Sequence, residues 1–312
     1  MHFLQAAPLI ALMLFSVSGC AGKKAPAELD QPYSAEFRKN DVPFERELQV
    51  VAFNIERGIH LNEVITYLKE IQEEQPAMIV LLSECDRNHS RSQDKYIAQE
   101  IAKALDMDMA FAVEYVEYND RTKENQATHG NAILSPFPLS EVSVIRHTPA
   151  FSWHRYGWIF GQPRDGGVVA LGATVTLPDR ERIRVYSLHL ESMAFGPDKR
   201  KQILDVLPEA DNFDMPLVLG GDLNTNPGSV LFETTEAYGI ENAFSGDRTP
   251  TGWCFFPDKK NNTIRCIFKI DWILFRDLEL LDRGAHALLA HQGGRVSDHA
   301  AVHATFRLKD SR

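Results

Sequence analysis

Apolar runs separated by short polar, glycine or proline segments recur along this chain from residue 47 to residue 307. The runs are enriched in Val, Ile, Leu and Phe and are mostly too short for helices, so the pattern predicts buried strands. The predicted strands are residues 47–54, 77–84, 109–118, 130–134, 141–145, 167–177, 182–190, 217–221, 264–275, 285–290 and 300–307. We therefore expect a fold built around β-sheets.

Helical spacing of apolar residues is confined to three connecting stretches. These are residues 61–71, 97–105 and 198–207. Asn226 and Pro227, just after a predicted strand, predict the cap and first turn of a further helix. Many strands with few helices, which lie mainly in the connections, predict an α+β fold. Two sheets packed face to face with the helices outside would bury the apolar runs.

The length and composition are those of a soluble globular protein. A chain of 312 residues suffices for one large domain or two small ones, and its 44% apolar and 24% charged residues can form a packed core with a charged surface. The formal net charge of -10 disfavours a surface that holds duplex nucleic acid through many phosphate contacts. It still allows a locally positive site made by metal ions.

The first 47 residues differ from the rest of the chain. Residues 6–17 form an apolar run too short to span a bilayer, and small residues then precede Cys20. This pattern resembles the bacterial lipoprotein signal, which implies a signal peptide over residues 1–20, an acylated Cys20 and an exported, membrane-anchored protein at the periplasmic or outer-membrane face. The alternative is an uncleaved N-terminal anchor. Residues 21–47 lack apolar periodicity and predict a tether to a domain over residues 48–312.

The four cysteines divide by expected role. Cys20 is the predicted site of the lipid. In an oxidising compartment, Cys254 and Cys266 form a candidate disulfide, because they flank one short loop. Cys85 follows a predicted strand and is expected to be a small buried apolar residue rather than a nucleophile.

Most predicted strands end in side chains that can bind a metal ion or transfer a proton. They are Asn54 with Glu56, Glu84, His129 with Asn131, His189, Asp222 with Asn224, Asp271, and Asp298 with His299. Each has a structural alternative, such as a paired carboxylate at Glu84 or a hydrogen-bonded core histidine at His189. Asp271 lies within an apolar strand and needs a partner, for which a histidine is the simplest. Oxygen ligands without a Cys/His cluster indicate a hard cation such as Mg²⁺ or Mn²⁺, and with paired histidines they indicate phosphate chemistry.

Seven short motifs also occur in a recognisable order. They are FNIERG (53–58), SE (83–84), GNAILS (130–135), SLHLES (187–192), GDLN (221–224), IDWIL (270–274) and SDH (297–299). Over residues 48–308 they resemble the motifs of the endonuclease/exonuclease/phosphatase superfamily with its deoxyribonuclease-I-like fold. The resemblance implies a four-layer α/β/β/α sandwich of two packed, mainly antiparallel sheets. It also implies one metal-dependent active site at the sheet ends.

The resemblance assigns a metal site to one group of these side chains. Glu84 matches the principal ligand of an Mg²⁺ or Mn²⁺ ion. Asn54, Glu56 and Asp298 match positions that complete the metal sphere directly or through water. Asp298 also lies beside His299 in the sequence, so its charge serves either the metal or the histidine.

The resemblance assigns catalysis to a second group. Asp222 matches the residue that orients or deprotonates the attacking water, with Asn224 beside it to hold the phosphate or the nucleophile. His189 and His299 match the pair that donates to non-bridging phosphate oxygens, and Asp271 matches the carboxylate that keeps His299 protonated. These roles are coherent, because a cation and two imidazolium groups stabilise charge on the equatorial oxygens while a carboxylate prepares the water.

Three further residues are candidate substrate contacts. His129 and Asn131 flank Gly130 in the third motif and are expected to reach a phosphate group. Arg164 resembles a family segment that precedes a strand, and its alternative is a solvated loop arginine.

The sequence therefore predicts a metal-dependent hydrolase of phosphoric esters, a phosphodiesterase or phosphatase that uses an activated water. The alternatives are an exported nuclease, a sphingomyelinase-like or phosphoinositide phosphatase-like lipid enzyme, and a catalytically silent binding lipoprotein. Aromatic residues at 151–160 and 253–256 fit base stacking, lipid insertion or an ordinary core. The low basic content and the predicted membrane tether favour a small or lipidic substrate over DNA.

Overall fold

The structure is a computed structural model that describes residues 29, 31–121, 126–258, 263–291 and 294–309. The predicted signal peptide and Cys20 lie outside these residues. The strands are β1 (Tyr33–Ala35), β2 (Glu47–Arg57), β3 (Met78–Arg87), β4 (Asp108–Arg121), β5 (Gln126–Ser135), β6 (Leu139–Arg146), β7 (Arg164–Gly166), β8 (Val169–Thr176), β9 (Arg182–His189), β10 (Leu217–Asp222), β11 (Glu241–Asn242), β12 (Phe255–Asp258), β13 (Thr263–Arg265), β14 (Asp271–Arg276), β15 (Leu278–His286) and β16 (Ala301–Leu308). The helices are α1 (Leu61–Glu74), α2 (Ile97–Leu105), α3 (Trp153–Tyr156), α4 (Gly196–Ala210) and α5 (Val230–Glu236), with 3-10 turns at Ser90–Ser92 and Gly157–Phe160.

The strands form two large mixed sheets and one small hairpin. The first sheet has the order β1-β4-β5-β3-β2-β16-β15, with β7 on β4, and the second has the order β11-β14-β10-β9-β8-β6. Each large sheet contains one parallel pair, β2 with β3 and β9 with β10, and the other pairs are antiparallel. Parallel neighbours need a crossover connection, which α1 and α4 provide.

The two large sheets pack face to face with helices on both outer faces. A Cβ atom built at Gly220 of β10 would lie 2.9 Å from Leu81 Cδ1 in the other sheet, so a side chain has no room there. Val64 of α1 and Ile101 of α2 pack on the outer face of the first sheet, and Ile203 of α4 belongs to the core of the second. The predicted four-layer α/β/β/α sandwich is confirmed. None of the helices in the described ranges is long and apolar enough to pass through a bilayer.

The structure differs from the sequence prediction at two elements near chain turns. The helix predicted to begin at Asn226 and Pro227 begins instead at Val230, where the Ser229 hydroxyl accepts a backbone hydrogen bond at the N-terminus. Gly228 has a φ of +81°, which interrupts any helix that starts earlier. The strand predicted at residues 285–290 lies earlier in the chain, because β15 spans Leu278–His286. Most residues of β15 are exposed or charged, and the strand forms through backbone pairing with β16.

The predicted tether, residues 21–47, lies partly within the fold. Leu29 is fully buried, and β1 pairs with β4 along the edge of the first sheet. Asp108 then accepts hydrogen bonds from the backbone of Phe37 and Arg38. A three-residue edge strand is too short to show an apolar alternation, so β1 could not be predicted from its own residues.

The candidate disulfide links the residue just before the small hairpin to the residue just after it. Cys254 and Cys266 are bonded, and β12 pairs with β13 between them. The run predicted as one strand over residues 264–275 is therefore divided between this hairpin and β14. Cys85 is buried, as predicted.

Candidate active site

The ends of six strands meet at one end of the sandwich. The parallel pairs β2–β3 and β9–β10 finish there, whereas β14 and the segment leading into β16 start there because they run antiparallel to β10 and β2. In the second sheet, Asp222 lies opposite His189 on one side and opposite Asp271 on the other. Topology thus gathers side chains that are far apart in the sequence into one cleft.

The Asp222 carboxylate lies at the centre of this cleft. Its Oδ2 atom accepts a hydrogen bond from Asn54 Nδ2 at 3.2 Å, and its Oδ1 atom accepts one from the backbone N–H of Asn224 at 2.9 Å. The same Oδ2 atom is 3.6 Å from His299 Nε2 and 3.9 Å from His189 Nε2. Burial raises the pKa of Asp222, and the charge of His299 opposes that rise. The carboxylate is thus a proton acceptor held between two imidazole rings.

His299 is oriented by Asp271, the pairing that the family resemblance implies. Its Nδ1 atom is 3.0 Å from both carboxylate oxygens of Asp271, so Nε2 is left facing the cleft. The Asp271 backbone N–H donates to Thr251 Oγ1, and the His299 backbone N–H donates to Ser297 Oγ. Burial alone would lower the pKa of His299, but Asp271 and Asp222 raise it well above its usual value. The two carboxylates therefore favour the protonated form of this ring.

His189 has an equivalent partner that sequence reasoning missed. Glu114 of β4 is fully buried, and its Oε2 atom is 3.0 Å from His189 Nδ1. Burial alone would lower the pKa of His189, but the adjacent Glu114 raises it to about 10. The signal was available, because Glu114 interrupts an apolar strand just as Asp271 does. The two histidines therefore both approach Asp222 Oδ2, and each is held by its own buried carboxylate.

Glu84 lies where β3 departs from regular pairing. Its φ is +55°, and the register of β3 with β5 shifts between Leu82 and Cys85. Arg57 Nη1 is 3.6 Å from Glu84 Oε2. Burial would raise the pKa of Glu84, but Arg57 and nearby histidines hold it below its usual range. The carboxylate is therefore ionised and aimed into the cleft by a backbone conformation that non-glycine residues seldom adopt.

Glu56 and Asp298 lie on the same side of the cleft as Glu84. The Glu56 carboxylate is 2.6 Å from Arg295 Nη2 and accepts a hydrogen bond from the Asp298 backbone at 2.9 Å. Burial raises the pKa of Asp298 to about 6, and the charge of Glu84 adds to the rise. The Glu56 carboxylate is thus already paired with Arg295 and with the backbone of Asp298. Of the two carboxylates, Asp298 is therefore the better candidate to bind a cation together with Glu84.

Two groups of side chains have the chemistry of a divalent-cation site. Asp222, Asp271 and His299 bring one ligand atom each within 4.8 Å of one another. Because Asp271 holds His299 as an imidazolium, a cation there would face a positive ring. Glu84 and Asp298, with the Asn54 amide, offer the oxygen atoms that Mg²⁺ and Mn²⁺ prefer. These three residues stay the ligands that the sequence predicts.

The structure does not bring His129 and Asn131 to the surface of the cleft. His129 is fully buried, with Nδ1 2.9 Å from Glu117 and Nε2 3.7 Å from Glu114. Asn131 is also fully buried and donates to the Val169 carbonyl at 2.9 Å. His129 therefore contacts two buried carboxylates, and Asn131 contacts the backbone of β8.

Arg164 is held between two aromatic rings rather than in solvent. Its guanidinium carbon lies 3.9 Å from the ring centroids of both Tyr115 and Trp153. Glu191 fixes the two rings, because it accepts hydrogen bonds from the Tyr115 hydroxyl at 3.2 Å and from Trp153 Nε1 at 3.0 Å. Sequence analysis missed this stacked group, since its members come from three separate segments.

A known protein family matches most of the chain. The profile of the Endonuclease/Exonuclease/phosphatase family matches residues 51–299. That range contains all the side chains that form the cleft. None of the curated proteins compared with the chain matches it.

Solved structures share the fold at low sequence identity. An endonuclease/exonuclease/phosphatase from Beutenbergia cavernae DSM 12333 has a TM-score of 0.57 and 18% identity, and the match covers 85% of this chain and 72% of that one. The human Nocturnin catalytic domain with bound sulfate anion has a TM-score of 0.55 and 15% identity, with 89% and 98% covered. TDP2 from Caenorhabditis elegans has a TM-score of 0.53 and 18% identity, with 84% and 74% covered.

Proposed function

The chain belongs to the endonuclease/exonuclease/phosphatase family, a family of hydrolases of phosphoric esters and nucleic acids, and on this premise we propose that it is a divalent-cation-dependent phosphodiesterase or phosphatase. The observation that carries the proposal is the position of Asp222 between two imidazole rings, each held by its own buried carboxylate. A base flanked by two cationic donors suits in-line attack of water on a phosphate group.

Each side chain of the cleft has a distinct part in this reaction. Asp222 accepts the proton of the attacking water, and the Asn224 backbone N–H and Asn54 hold the carboxylate in place. The Nε2–H groups of His189 and His299 donate to the non-bridging oxygens, where negative charge is greatest in the transition state.

The oxygen-rich group beside Asp222 is the proposed cation site. Glu84, Asn54 and Asp298 would hold Mg²⁺ or Mn²⁺, and a bound cation supplies positive charge to the phosphate oxygens. Arg57, which is 3.6 Å from Glu84, keeps that carboxylate ionised.

Two alternative functions, a nuclease and a lipid enzyme, differ from the proposed one in substrate. A third alternative, a binding protein, catalyses no reaction. The net charge of -10 supports a small or lipidic ester over duplex DNA. The bound sulfate of the Nocturnin domain supports a tetrahedral anion as ligand of this fold. A panel of plasmid DNA, RNA, sphingomyelin and inositol phosphates distinguishes the nuclease, the lipid enzyme and the phosphatase. A silent binding protein would hydrolyse none of them.

Removal of the cation is expected to stop the reaction. The assay uses a chain that begins at Ala21, which contains all the residues that the structure describes. With Mg²⁺ or Mn²⁺, this chain should hydrolyse bis-p-nitrophenyl phosphate. EDTA should lower the rate at least about tenfold, since a metal ion supplies several kcal/mol of charge stabilisation. Added Mg²⁺ should restore it, and a rate that survives EDTA would reject the cation requirement.

The Glu114→Gln substitution is expected to move the alkaline limb of the pH–rate profile to lower pH. In the wild type, the raised pKa keeps His189 protonated, so a rate that needs the imidazolium falls only as pH rises through about 10. Gln keeps an acceptor for Nδ1 but removes the charge, so the pKa returns toward 6.5 and the decline begins earlier.

The control for this substitution is Glu117→Gln. Glu117 is a buried carboxylate of the same strand, but its ring partner is His129 rather than His189. The alkaline limb of the Glu117→Gln variant should match the wild type. Equal profiles for all three proteins would contradict a charge on His189 that depends on Glu114.

A further inference from the structure

Five large apolar side chains are exposed in two segments beside the cleft. Trp158, Ile159 and Phe160 are 68%, 77% and 48% exposed, and Met193 and Phe195 are 43% and 80% exposed. We call these five residues the apolar rim. Exposed aromatic and aliphatic side chains grouped in this way mark an interaction surface rather than scattered surface residues.

The two segments of the apolar rim meet at one buried carboxylate. Glu191 accepts hydrogen bonds from Trp153 Nε1 at 3.0 Å and from the Met193 backbone at 3.2 Å. Phe160 packs on Trp153 with ring centroids 5.9 Å apart. The apolar rim is therefore held by the same group that fixes the Arg164 stack, on the His189 side of the cleft.

A second set of exposed apolar side chains lies on the His299 side. Trp253, Phe255 and Ile267 of the disulfide-linked hairpin are 59%, 50% and 51% exposed. The hairpin is attached to the cleft, because the Cys254 backbone N–H donates to the Asp298 carbonyl at 2.8 Å. A broad apolar partner that contacts both sides would cover the mouth of the cleft.

Leu29, the first residue that the structure describes, lies at this same end. The Leu29 carbonyl accepts a hydrogen bond from Arg146, which also donates to the Val113 carbonyl at 3.2 Å, next to Glu114. Cys20 precedes Leu29 by nine residues, so the two are at most about 30 Å apart even in a fully extended chain. A lipid on Cys20, which the signal motif predicts, would therefore hold the catalytic end of the sandwich near a bilayer.

We propose that the apolar rim docks on a lipid membrane and that the cleft thereby faces the bilayer surface. Trp and Phe favour the boundary between headgroups and acyl chains, where their rings are partly buried. The lipid on Cys20 gives proximity, and the apolar rim gives orientation. This inference goes beyond the proposed function, since docking does not depend on which ester is hydrolysed.

The test is the binding of the chain that begins at Ala21 to vesicles of phosphatidylethanolamine and phosphatidylglycerol in equal parts. This chain lacks Cys20, so binding reports on the folded surface alone. Sedimentation should show the wild type on the vesicles. Ile159→Asp and Phe195→Asp should each reduce the partition coefficient at least about tenfold, since each removes an apolar side chain from the acyl region and places a charge there.

The matched control is Leu281→Asp. Leu281 of β15 is 38% exposed. Its neighbours in β15 pair with the last residues of β16, which in turn pair with the first residues of β2. Since the cleft lies where β2 ends, Leu281 lies at the opposite end of the sandwich. This variant should bind vesicles as the wild type does. All four proteins should hydrolyse bis-p-nitrophenyl phosphate in solution at equal rates, because none of the changed residues lies in the cleft.

The outcomes separate this proposal from the proposed function. Absence of binding by the wild type, equal binding by Ile159→Asp, or sedimentation without vesicles, which indicates self-association, would each overturn membrane docking. Vesicle binding without hydrolysis would leave docking in place and reject the enzyme. The predicted lipid on Cys20 is tested separately with the full chain in cells. A radioactive fatty acid should label the wild type and should not label the Cys20→Ala variant.

Discussion

The Asp222→Asn variant is expected to hydrolyse bis-p-nitrophenyl phosphate about 10² to 10⁴ times more slowly than the wild type, the range that loss of a general base costs. Asp222 faces both His189 and His299 in the cleft, at 3.9 and 3.6 Å. Asn has nearly the same shape but cannot accept the proton of the attacking water. The loss should appear in kcat, measured under saturating substrate and Mg²⁺.

The control for Asp222→Asn is Asp277→Asn. Asp277 carries the same chemical group on the surface, with a side chain 68% exposed, and its φ of +60° is one that Asn adopts readily. Its rate should match the wild type. Thermal unfolding of both variants should be close to that of the wild type, which separates lost chemistry from lost fold. A rate for Asp222→Asn within about tenfold of the wild type would reject the assignment of the base.

The layers of the fold were predictable because burial imposes a periodicity that the sequence displays. The strands that carry Glu84 and Asp222 are buried on both faces, so each appears as a continuous apolar run. The polar residue at the end of each run then marks the edge of the sheet. The prediction that these strand ends meet in one cleft also required the order of the strands in each sheet. The strand order came from the resemblance of the motifs to a known family.

The parts that escaped prediction depend on partners distant in the sequence. Glu114 and Asp271 are the same kind of residue in the same kind of strand, but only Asp271 was assigned a histidine. The Tyr115, Trp153 and Arg164 stack needs β4, α3 and β7 to come together, which no local pattern encodes. Edge strands such as β1 are fixed by pairing rather than by their own side chains.

Four of the non-glycine residues with positive φ lie beside the cleft, and others lie elsewhere in the described part of the chain. Glu56, Arg57, Glu84 and Asn224 all have positive φ, between +44° and +67°. Non-glycine residues in this region cost about 1 kcal/mol or more each and persist where the surroundings hold them. The departures from regular pairing at the ends of β2 and β3 turn Glu56 and Glu84 toward the cleft, so the strain has a geometric consequence.

Loss of the His299 charge is the second large effect expected. His299→Gln should lower kcat by about 10² to 10³, the scale for removal of one charge-stabilising donor. Asp271→Asn should have a smaller effect in the same direction, because the ring remains but loses the carboxylate that raises its pKa. The alkaline limb of the Asp271→Asn profile should therefore move to lower pH, a shift that a merely structural defect would not produce.

The double variant decides whether Asp271 acts through His299. Both oxygens of Asp271 lie 3.0 Å from His299 Nδ1, so we expect the carboxylate to act on the ring rather than on the substrate. The Asp271→Asn/His299→Gln protein should then be no slower than His299→Gln alone, because residues that act as a unit are not additive. Multiplied losses would instead mean that Asp271 has a contact of its own with the reacting groups, such as a place in the cation site that it forms with Asp222 and His299.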